Sequence, residues 1–194
     1  MYTIALKSQV FDRMSDDEFV YFCLENRDLR IERTAEGEIL IDMPTYPKTG
    51  RKNAELIVQL GMWNKVNKRG LVFDSSSGFF LRSTAMRSPD VSWISHERWN
   101  ALSEPDKDKF SHVCPDFVIE LKSETDSLKT LQKKMTSDWI GNGCRLAWLI
   151  DAETETAYVY RADGSQSTTQ GFDQTLSGEG VLEGFVLDLR ELKE

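Results

Sequence analysis

The sequence predicts an α+β protein, α/β-like in character, with a central mixed β-sheet flanked by helices. Three observations lead to this prediction: helical patterns recur along the chain, apolar strand-like segments lie between them, and more strand-like segments follow the last helix. No internal repeat or low-complexity segment interrupts this order. We therefore expect a single domain over residues 1–194, made of an N-terminal helix and hairpin (10–45), a core (46–161) and a C-terminal strand extension (162–194).

The first elements are predicted from capping and turn signals. The segment SDDE has the pattern of a capping box, so a helix is expected over about residues 15–26. LRIERTAEGEILIDM alternates in polarity around Glu36-Gly37, which indicates a hairpin. Helical spacing over about residues 47–68 predicts a long helix that ends at Gly70.

The later elements are predicted mainly from apolar runs. Strands are expected at GLVFD and GFFLRS around a serine-rich turn, at SPDVSWIS, at HVCPDFVIELKS, and at CRLAWLID and TETAYVYRA, which form a hairpin. HERWNALS is expected to be a short helix and EPDKDKF a polar loop. Another helix is expected to begin near Asp126 or Ser127, to include Trp139 and to end near Gly141 or Gly143.

The composition is that of an ordinary globular protein of the cytoplasm. Apolar residues make up 40% and charged residues 29% of the sequence. No apolar run approaches the roughly 20 residues of a membrane span, and the N-terminus lacks the pattern of a secretory signal. Cys23, Cys114 and Cys144 are widely spaced and odd in number, which indicates reduced thiols. We expect a cytoplasmic protein that makes no membrane contact.

The strand PDFVIELKS carries two charges where strand interiors are usually apolar. Side chains alternate between faces of a strand, so Asp116, Glu120 and Lys122 share one face, and the opposite face is purely apolar. A Glu–Lys ion pair at a solvated sheet edge would contribute only about 0–1 kcal/mol. The pair is therefore either a weak structural contact or part of a functional site.

A second carboxylate, Asp90, favours the functional interpretation. Asp90 follows Pro89 at the start of another apolar strand, 30 positions before Glu120. If the two strands pair, the carboxylates lie close together, and their repulsion raises one pKa unless a cation neutralises them. Mg²⁺ takes carboxylate, water and phosphate oxygens as ligands. A nearby lysine can hold a phosphate or orient the attacking water.

The long helix carries further candidate features. Glu55 lies in line with Val58, Met62 and Val66, so it either points inward as a third carboxylate or is an exposed acid favoured by the helix dipole. Between residues 45 and 70 this is the only acidic residue among six basic ones: Lys48, Arg51, Lys52, Lys65, Lys68 and Arg69. This region is either a solvated helix face or a contact for a nucleic-acid backbone. The net charge of −8 excludes a non-specific nucleic-acid coat protein but not a nuclease.

The order SPDVSW, PDFVIELKS, a helix with LQKKM, and RLAWLID resembles the Uma2 family (domain of unknown function 820) of the PD-(D/E)xK nuclease superfamily. The resemblance extends from the SDDEF helix to the GFVLDL tail. It implies a restriction-endonuclease-like core, in agreement with the predicted order of elements. It also implies an endonuclease that uses Mg²⁺ or Mn²⁺ to hydrolyse phosphodiester bonds of DNA. Relatives suggest a homodimer, for which the C-terminal strands could supply the interface.

The resemblance assigns roles to the acidic residues. Asp90 would be a metal ligand and Glu120 the second acidic ligand, with the Leu121 carbonyl as a further backbone ligand. Glu55 would match an acidic residue on the helix that precedes the core. Asp116 is either a supporting carboxylate or an acid at a strand end.

Two lysines compete for the catalytic position that the resemblance implies. Lys122 stands at the lysine of the motif, whereas Lys134, beside Lys133, stands where many relatives carry a lysine on the following helix. We favour Lys122, because it requires no special helix geometry.

Two other functions remain open at this point. The chain could be a catalytically inactive nuclease fold that binds nucleic acid or protein, or an α/β binding domain with a structural ion pair. A basic groove beside the carboxylates would favour the nuclease, and a broad apolar patch there would favour a partner protein.

Overall fold

The computed structural model describes residues 3–193 and has the predicted α+β architecture. The helices of this range are α1 (Asp16–Glu25), α2 (Pro47–Asn67), α3 (His96–Asn100), α4 (Glu104–Lys107) and α5 (Leu128–Lys133). A π-helix, Lys134–Trp139, continues α5, and 3-10 turns cover Phe11–Arg13, Ile140–Asn142 and Leu189–Leu192. The strands are β1 (Thr3–Leu6), β2 (Arg30–Arg33), β3 (Ile39–Asp42), β4 (Gly70–Asp74), β5 (Phe79–Phe80), β6 (Met86–Arg87), β7 (Val91–Ser95), β8 (Phe117–Lys122), β9 (Leu146–Asp151), β10 (Thr156–Arg161), β11 (Gln166–Gln170), β12 (Thr175–Ser177) and β13 (Val186–Asp188).

The strands form a six-stranded mixed sheet and two smaller sheets. The central sheet has the order β11-β10-β9-β8-β7-β4, in which only β8 and β9 are parallel. The chain reaches β9 from β8 through α5 and the π-helix, as a parallel connection requires. A five-stranded antiparallel sheet, β1-β3-β2-β6-β5, is called the N-terminal sheet below, and β12 pairs with β13.

Both faces of the central sheet are buried at β8 and β9, which explains why these two strands are apolar almost throughout. One face packs on α2 and on the C-terminal segment, and its largest side chains include Phe117, Trp148 and Phe185. The other face packs on the π-helix through Met135 and Trp139. Strand β8 therefore has no solvated face, and Glu120, at 5% exposure, is a charged group inside the core.

Several sequence predictions are confirmed in detail. Ser15 caps α1, and the Glu18 side chain accepts a hydrogen bond from the Ser15 backbone N–H, which completes the capping box. The hairpin around Glu36-Gly37 is formed by β2 and β3. The last predicted helix begins after Ser127, whose hydroxyl accepts a hydrogen bond from the Thr130 N–H.

Other predictions are wrong. Gly70 does not end α2; Lys68 takes the left-handed conformation there, and Gly70 begins β4, where a Cβ atom would lie 2.2 Å from the Ile94 carbonyl oxygen. EPDKDKF is not wholly a loop, because Ser103 caps the short helix α4. The strands predicted at GLVFD and GFFLRS are present as β4 and β5, although they belong to different sheets, and the edge strand β1 was not predicted.

The face of α2 that carries Val58, Met62 and Val66 is exposed, with exposed fractions of 50%, 66% and 82%. Of the two alternatives for Glu55, the one in which this face points inward does not agree with the exposure of these three side chains. Leu56 and Leu60, which are fully buried, form the packed side of α2.

No helix within residues 3–193 combines the length and the apolar character needed to cross a membrane.

Candidate active site

Pairing of β7 with β8 brings Asp90 to Glu120, as the sequence predicted. The register pairs Val91 with Ile119, so one further step places Asp90 opposite Glu120. Residues opposite each other in an antiparallel pair point to the same side. The backbone of β8 holds the Asp90 side chain beside Glu120, because the Leu121 N–H donates a hydrogen bond of 2.8 Å to Oδ2 of Asp90.

The π-helix supplies two further contacts to Glu120. Lys134 Nζ and Trp139 Nε1 each lie 2.8 Å from Oε1 of Glu120. A π-helix is wider than an α-helix and bonds residue i to i+5 rather than i+4, so residues 134 and 139 lie toward the same side. In a regular α-helix this pair would diverge. The irregular backbone therefore allows both donors to reach one carboxylate oxygen.

Burial and mutual repulsion disfavour ionisation of the two carboxylates. Burial raises the pKa of Asp90, although the hydrogen bond from Leu121 opposes the shift. Burial, together with repulsion from Asp90 and Glu32, raises the pKa of Glu120 to about 7, although Lys134 opposes the shift. Burial would lower the pKa of Lys134, but Glu120 and Glu32 hold it above its usual value. The site thus contains one positive charge, on Lys134, which does not fully offset the cost of ionising the nearby carboxyl groups.

Lys122, the lysine that the sequence analysis favoured for the catalytic position, lies away from these groups. Its ammonium lies 3.5 Å from Asp151 and 3.4 Å from Glu153. Lys122 contacts Asp151 because β9 is the parallel neighbour of β8 and the register pairs these two residues. The structure brings Lys134, not Lys122, into contact with Glu120.

Glu55 and Asp116 also lie apart from the carboxylate pair. Glu55 accepts a hydrogen bond of 3.2 Å from Gln59 on the same helix. Asp116 is fully buried at the other end of β8, where it accepts hydrogen bonds from the Ser95 N–H and from Arg98. These hydrogen bonds give Asp116 a structural role at that end of the strand.

Asp90, Glu120 and Lys134 line a cleft of about 820 Å³ between the N-terminal sheet and the segment from the end of β8 to the π-helix. Of the described residues that line it, eight are acidic and four are basic, a formal charge of −4. The basic residues of α2 are not among them, and Arg51 instead donates hydrogen bonds to the carbonyls of Glu191 and Lys193. A basic groove beside the carboxylates, the feature that would have favoured a nuclease, is not formed by these lining residues.

Sequence reasoning missed a buried ionic network that lines the cleft. Glu32, on β2, accepts hydrogen bonds from Arg87 at 2.9 Å and from the Ser88 N–H at 2.8 Å. Arg87 also contacts Asp138 of the π-helix at 2.7 Å. Lys134 Nζ lies 3.5 Å from Glu32. The available signal was an acidic residue inside the strand-like segment LRIER, the same kind of signal that marked Glu120.

The carboxylate pair fits a hard divalent cation such as Mg²⁺ or Mn²⁺. Within residues 3–193 no group of three or more His, Cys, Asp or Glu side chains is arranged to hold a metal ion. Mg²⁺, however, commonly binds through one or two carboxylates together with waters and substrate phosphates. Among the described residues, hydrogen bonds engage Oδ2 of Asp90 and Oε1 of Glu120, which leaves Oδ1 and Oε2 for a ligand.

Comparison with known proteins agrees with this fold. A solved structure described as a putative nuclease belonging to DUF820, from Anabaena variabilis ATCC 29413, superposes with a TM-score of 0.71 at 19% identity, over 84% of this chain and 88% of the other. A search of curated proteins gives no match. The model of the family Uma2, described as putative restriction endonuclease, matches residues 16–190. The chain therefore belongs to the Uma2 family.

Proposed function

We propose that the protein is a metal-dependent endonuclease that hydrolyses phosphodiester bonds of DNA. One observation carries the proposal: Asp90, directly before β7, and Glu120, on the paired strand β8, line a cleft, with the Lys134 ammonium 2.8 Å from Glu120. Membership of a family described as restriction endonucleases supports both the reaction class and the choice of DNA.

Asp90 and Glu120 would hold the metal ion, Mg²⁺ or Mn²⁺. When bound, such an ion lowers the pKa of a coordinated water and neutralises negative charge on the reacting phosphate. The Leu121 N–H keeps Asp90 in place through Oδ2, and Trp139 keeps Glu120 in place through Oε1. These hydrogen bonds fix both side chains before any substrate arrives, which is the preorganisation that a metal site needs.

Lys134 would bind the substrate phosphate at this site. Its ammonium is a point charge on a flexible stem, which suits a phosphate oxygen. A fixed positive group aimed at developing negative charge contributes about 10²–10³ to a rate. Glu55 and Lys122 lie outside the residues that line the cleft, so we assign the chemistry to Asp90, Glu120 and Lys134.

The charge of the cleft supports metal dependence at the binding step as well. A polyanion is repelled by a lining of formal charge −4. A divalent cation at the carboxylates would offset half of that charge. We expect nucleic acid to enter the cleft only together with the metal ion.

Unpaired polar atoms in the cleft support an occupant of polar chemistry. Arg30 Nε and Asn53 Oδ1 are buried and make no hydrogen bond within the described part of the chain, although Arg30 Nε lies 3.9 Å from Oδ2 of Asp42, and both residues line the cleft. Buried polar atoms are rarely left unpaired. A nucleotide has both donors and acceptors with which to pair them.

Assembly as a homodimer is part of the proposal. The exposed apolar side chains of α2, Val58, Met62 and Val66, follow one face of the helix, as an interface with a second copy would require. The C-terminal strands are less suitable for this role, because they direct Leu176 and Leu187 into the core.

The test is cleavage of supercoiled plasmid DNA in the presence of Mg²⁺ or Mn²⁺. We expect the wild type to cleave and Glu120→Gln, which keeps the size of the side chain and its acceptor for Trp139, to lose activity about 10²-fold or more. Glu104→Gln, which changes an exposed glutamate paired with Lys107, is the matched control. Metal-independent binding of DNA without cleavage would instead indicate an inactive binding module.

A further inference from the structure

The ammonium of Lys134 lies between two buried carboxylates that come from different sheets. Glu120 of the central sheet lies 2.8 Å from Nζ, and Glu32 of the N-terminal sheet lies 3.5 Å from it. The Trp139 ring is 5.8 Å from Nζ. A single ion pair would leave a four-carbon side chain free to turn, whereas contacts on two sides define one position for its charge.

Glu32 is itself held rigidly. Its two carboxylate oxygens are engaged separately: the Ser88 N–H donates to Oε1 and Arg87 donates to Oε2. Only 3% of the residue is exposed. Burial would raise the pKa of Glu32, but Lys134 and Arg87 lower it to about 2, so the group is a carboxylate. It is therefore a fixed negative charge at the ammonium of Lys134.

The ion pairs of Glu32 extend through Arg87 to the π-helix that carries Lys134. Arg87 binds Glu32 on one side and Asp138 on the other, and Asp138 is four residues after Lys134. Ser88, which donates to Glu32, is two residues before Asp90. The N-terminal sheet thus reaches the carboxylate pair through one continuous chain of buried contacts.

We propose that Glu32 is the positioning residue of Lys134: it holds the ammonium at Glu120 so that the ammonium meets the substrate phosphate at the metal site. The proposal rests on the proposed nuclease function only for its second half. Glu32 acts through Lys134, and it touches neither the metal nor the substrate. The rival role is purely structural, in which Glu32 serves only to neutralise Arg87.

The first test observes Lys134 in the metal-free protein and needs no nuclease activity. In a ¹⁵N-lysine NMR spectrum, an ammonium group held in a buried ion pair gives a resonance that rapidly exchanging surface lysines lack. We expect a resonance that disappears in Lys134→Met and also in Glu32→Gln. The glutamine can still accept the hydrogen bond from Ser88 but carries no charge. Glu104→Gln, which breaks the exposed pair with Lys107, should leave the resonance unchanged.

An unchanged Lys134 resonance in Glu32→Gln would overturn the proposal. Circular dichroism and thermal unfolding establish that the variant is folded. If Glu32→Gln does not fold, Glu32→Asp replaces it, because aspartate keeps the charge for Arg87 but is one methylene shorter. We expect Glu32→Asp to lose the Lys134 resonance as well. Retention of the resonance in this variant would also contradict the proposal.

The second test is a double-mutant cycle on cleavage of supercoiled plasmid DNA with Mn²⁺. Misplacing a reacting group by about 1 Å can lower a rate about 10²-fold, and we expect Glu32→Gln to lower kcat by about that factor with little change in KM. In a Lys134→Met background the same substitution should have less than about a twofold effect, because residues that act through one another are not additive. An equal loss in both backgrounds would show that Glu32 acts independently of Lys134.

The two tests separate this inference from the proposed function. If the wild type cleaves no DNA under any metal condition, the nuclease proposal fails, but the NMR test still decides whether Glu32 positions Lys134. If cleavage occurs and Glu32→Gln changes neither the resonance nor kcat, the inference alone fails.

Discussion

Replacement of Arg87 by methionine should destabilise the protein severely. Arg87 is buried between Glu32, at 2.9 Å, and Asp138, at 2.7 Å, and methionine fills a similar volume without charge. Breaking a buried ion pair by removing one partner typically costs about 3–5 kcal/mol, because the other charge is left uncompensated.

The pKa of Glu32 gives an independent magnitude. Its ordinary value is 4.5, and the folded protein lowers it to about 2. At about 1.4 kcal/mol per pKa unit, this amounts to about 3 kcal/mol of net stabilisation of the Glu32 carboxylate after the cost of burial, to which Lys134 contributes more than Arg87. A loss of about 3 kcal/mol is a large part of the 5–15 kcal/mol that stabilises a typical domain.

The assay is urea unfolding followed by tryptophan fluorescence. Arg69→Met is the control, since it breaks the exposed ion pair with Glu183 and should cost less than about 1 kcal/mol. A group with a lowered folded pKa stabilises the protein above its unfolded pKa and ceases to do so as the pH falls through its folded pKa. The deficit of Arg87→Met should therefore shrink between about pH 4.5 and pH 2. A deficit below about 1 kcal/mol at neutral pH would refute the reasoning.

Four further predictions concern the site and the assembly. Mn²⁺ affinity, measured by calorimetry, should fall about tenfold per pH unit below about pH 7, because protonation of Glu120 competes with the metal. Lys134→Met should lower plasmid cleavage by about 10²-fold or more, and Lys122→Met by much less; the reverse order would restore Lys122 as the catalytic lysine. Trp139→Phe should lower the free energy of unfolding by about 1–3 kcal/mol, since it removes a buried hydrogen bond to Glu120. Met62→Glu should convert the proposed dimer to a monomer in sedimentation velocity, and a wild type that is already monomeric would contradict the proposal.

The carboxylate pair was accessible from the sequence because its geometry depends on neighbouring strands. Strand alternation fixed the face of Glu120, and antiparallel pairing of two recognisable apolar runs brought Asp90 opposite to it. The order of strands and helices followed from the same local patterns. Predicting these features requires only the side-chain periodicity of each strand and the pairing of one strand with another.

The choice between the two lysines depended on contacts that periodicity does not encode. Lys122 is the last residue of β8, and its ammonium lies near Asp151 of the parallel neighbour, a pairing that only the sheet order reveals. Lys134 reaches Glu120 because the helix changes to a π-helix at that residue. No spacing rule in the sequence indicates that change.

The ion pair between Glu32 and Arg87 could not be predicted from the sequence for a related reason. These residues are 55 positions apart and meet because β2 pairs with β6 in the N-terminal sheet. The predicted hairpin left open where that sheet would pack. Its placement against the π-helix determines the depth and the charge of the cleft.

The central claim, that Asp90 and Glu120 jointly hold a divalent cation, is tested most directly by calorimetric titration with Mn²⁺. The wild type, Asp90→Asn, Glu120→Gln and the control Glu104→Gln would be titrated with and without duplex DNA, because these ions often need substrate phosphates to bind tightly. The account predicts binding by the wild type and the control, and a loss of at least about tenfold in each site variant. Unaltered affinity in both site variants, or no binding by the wild type in either condition, would contradict it.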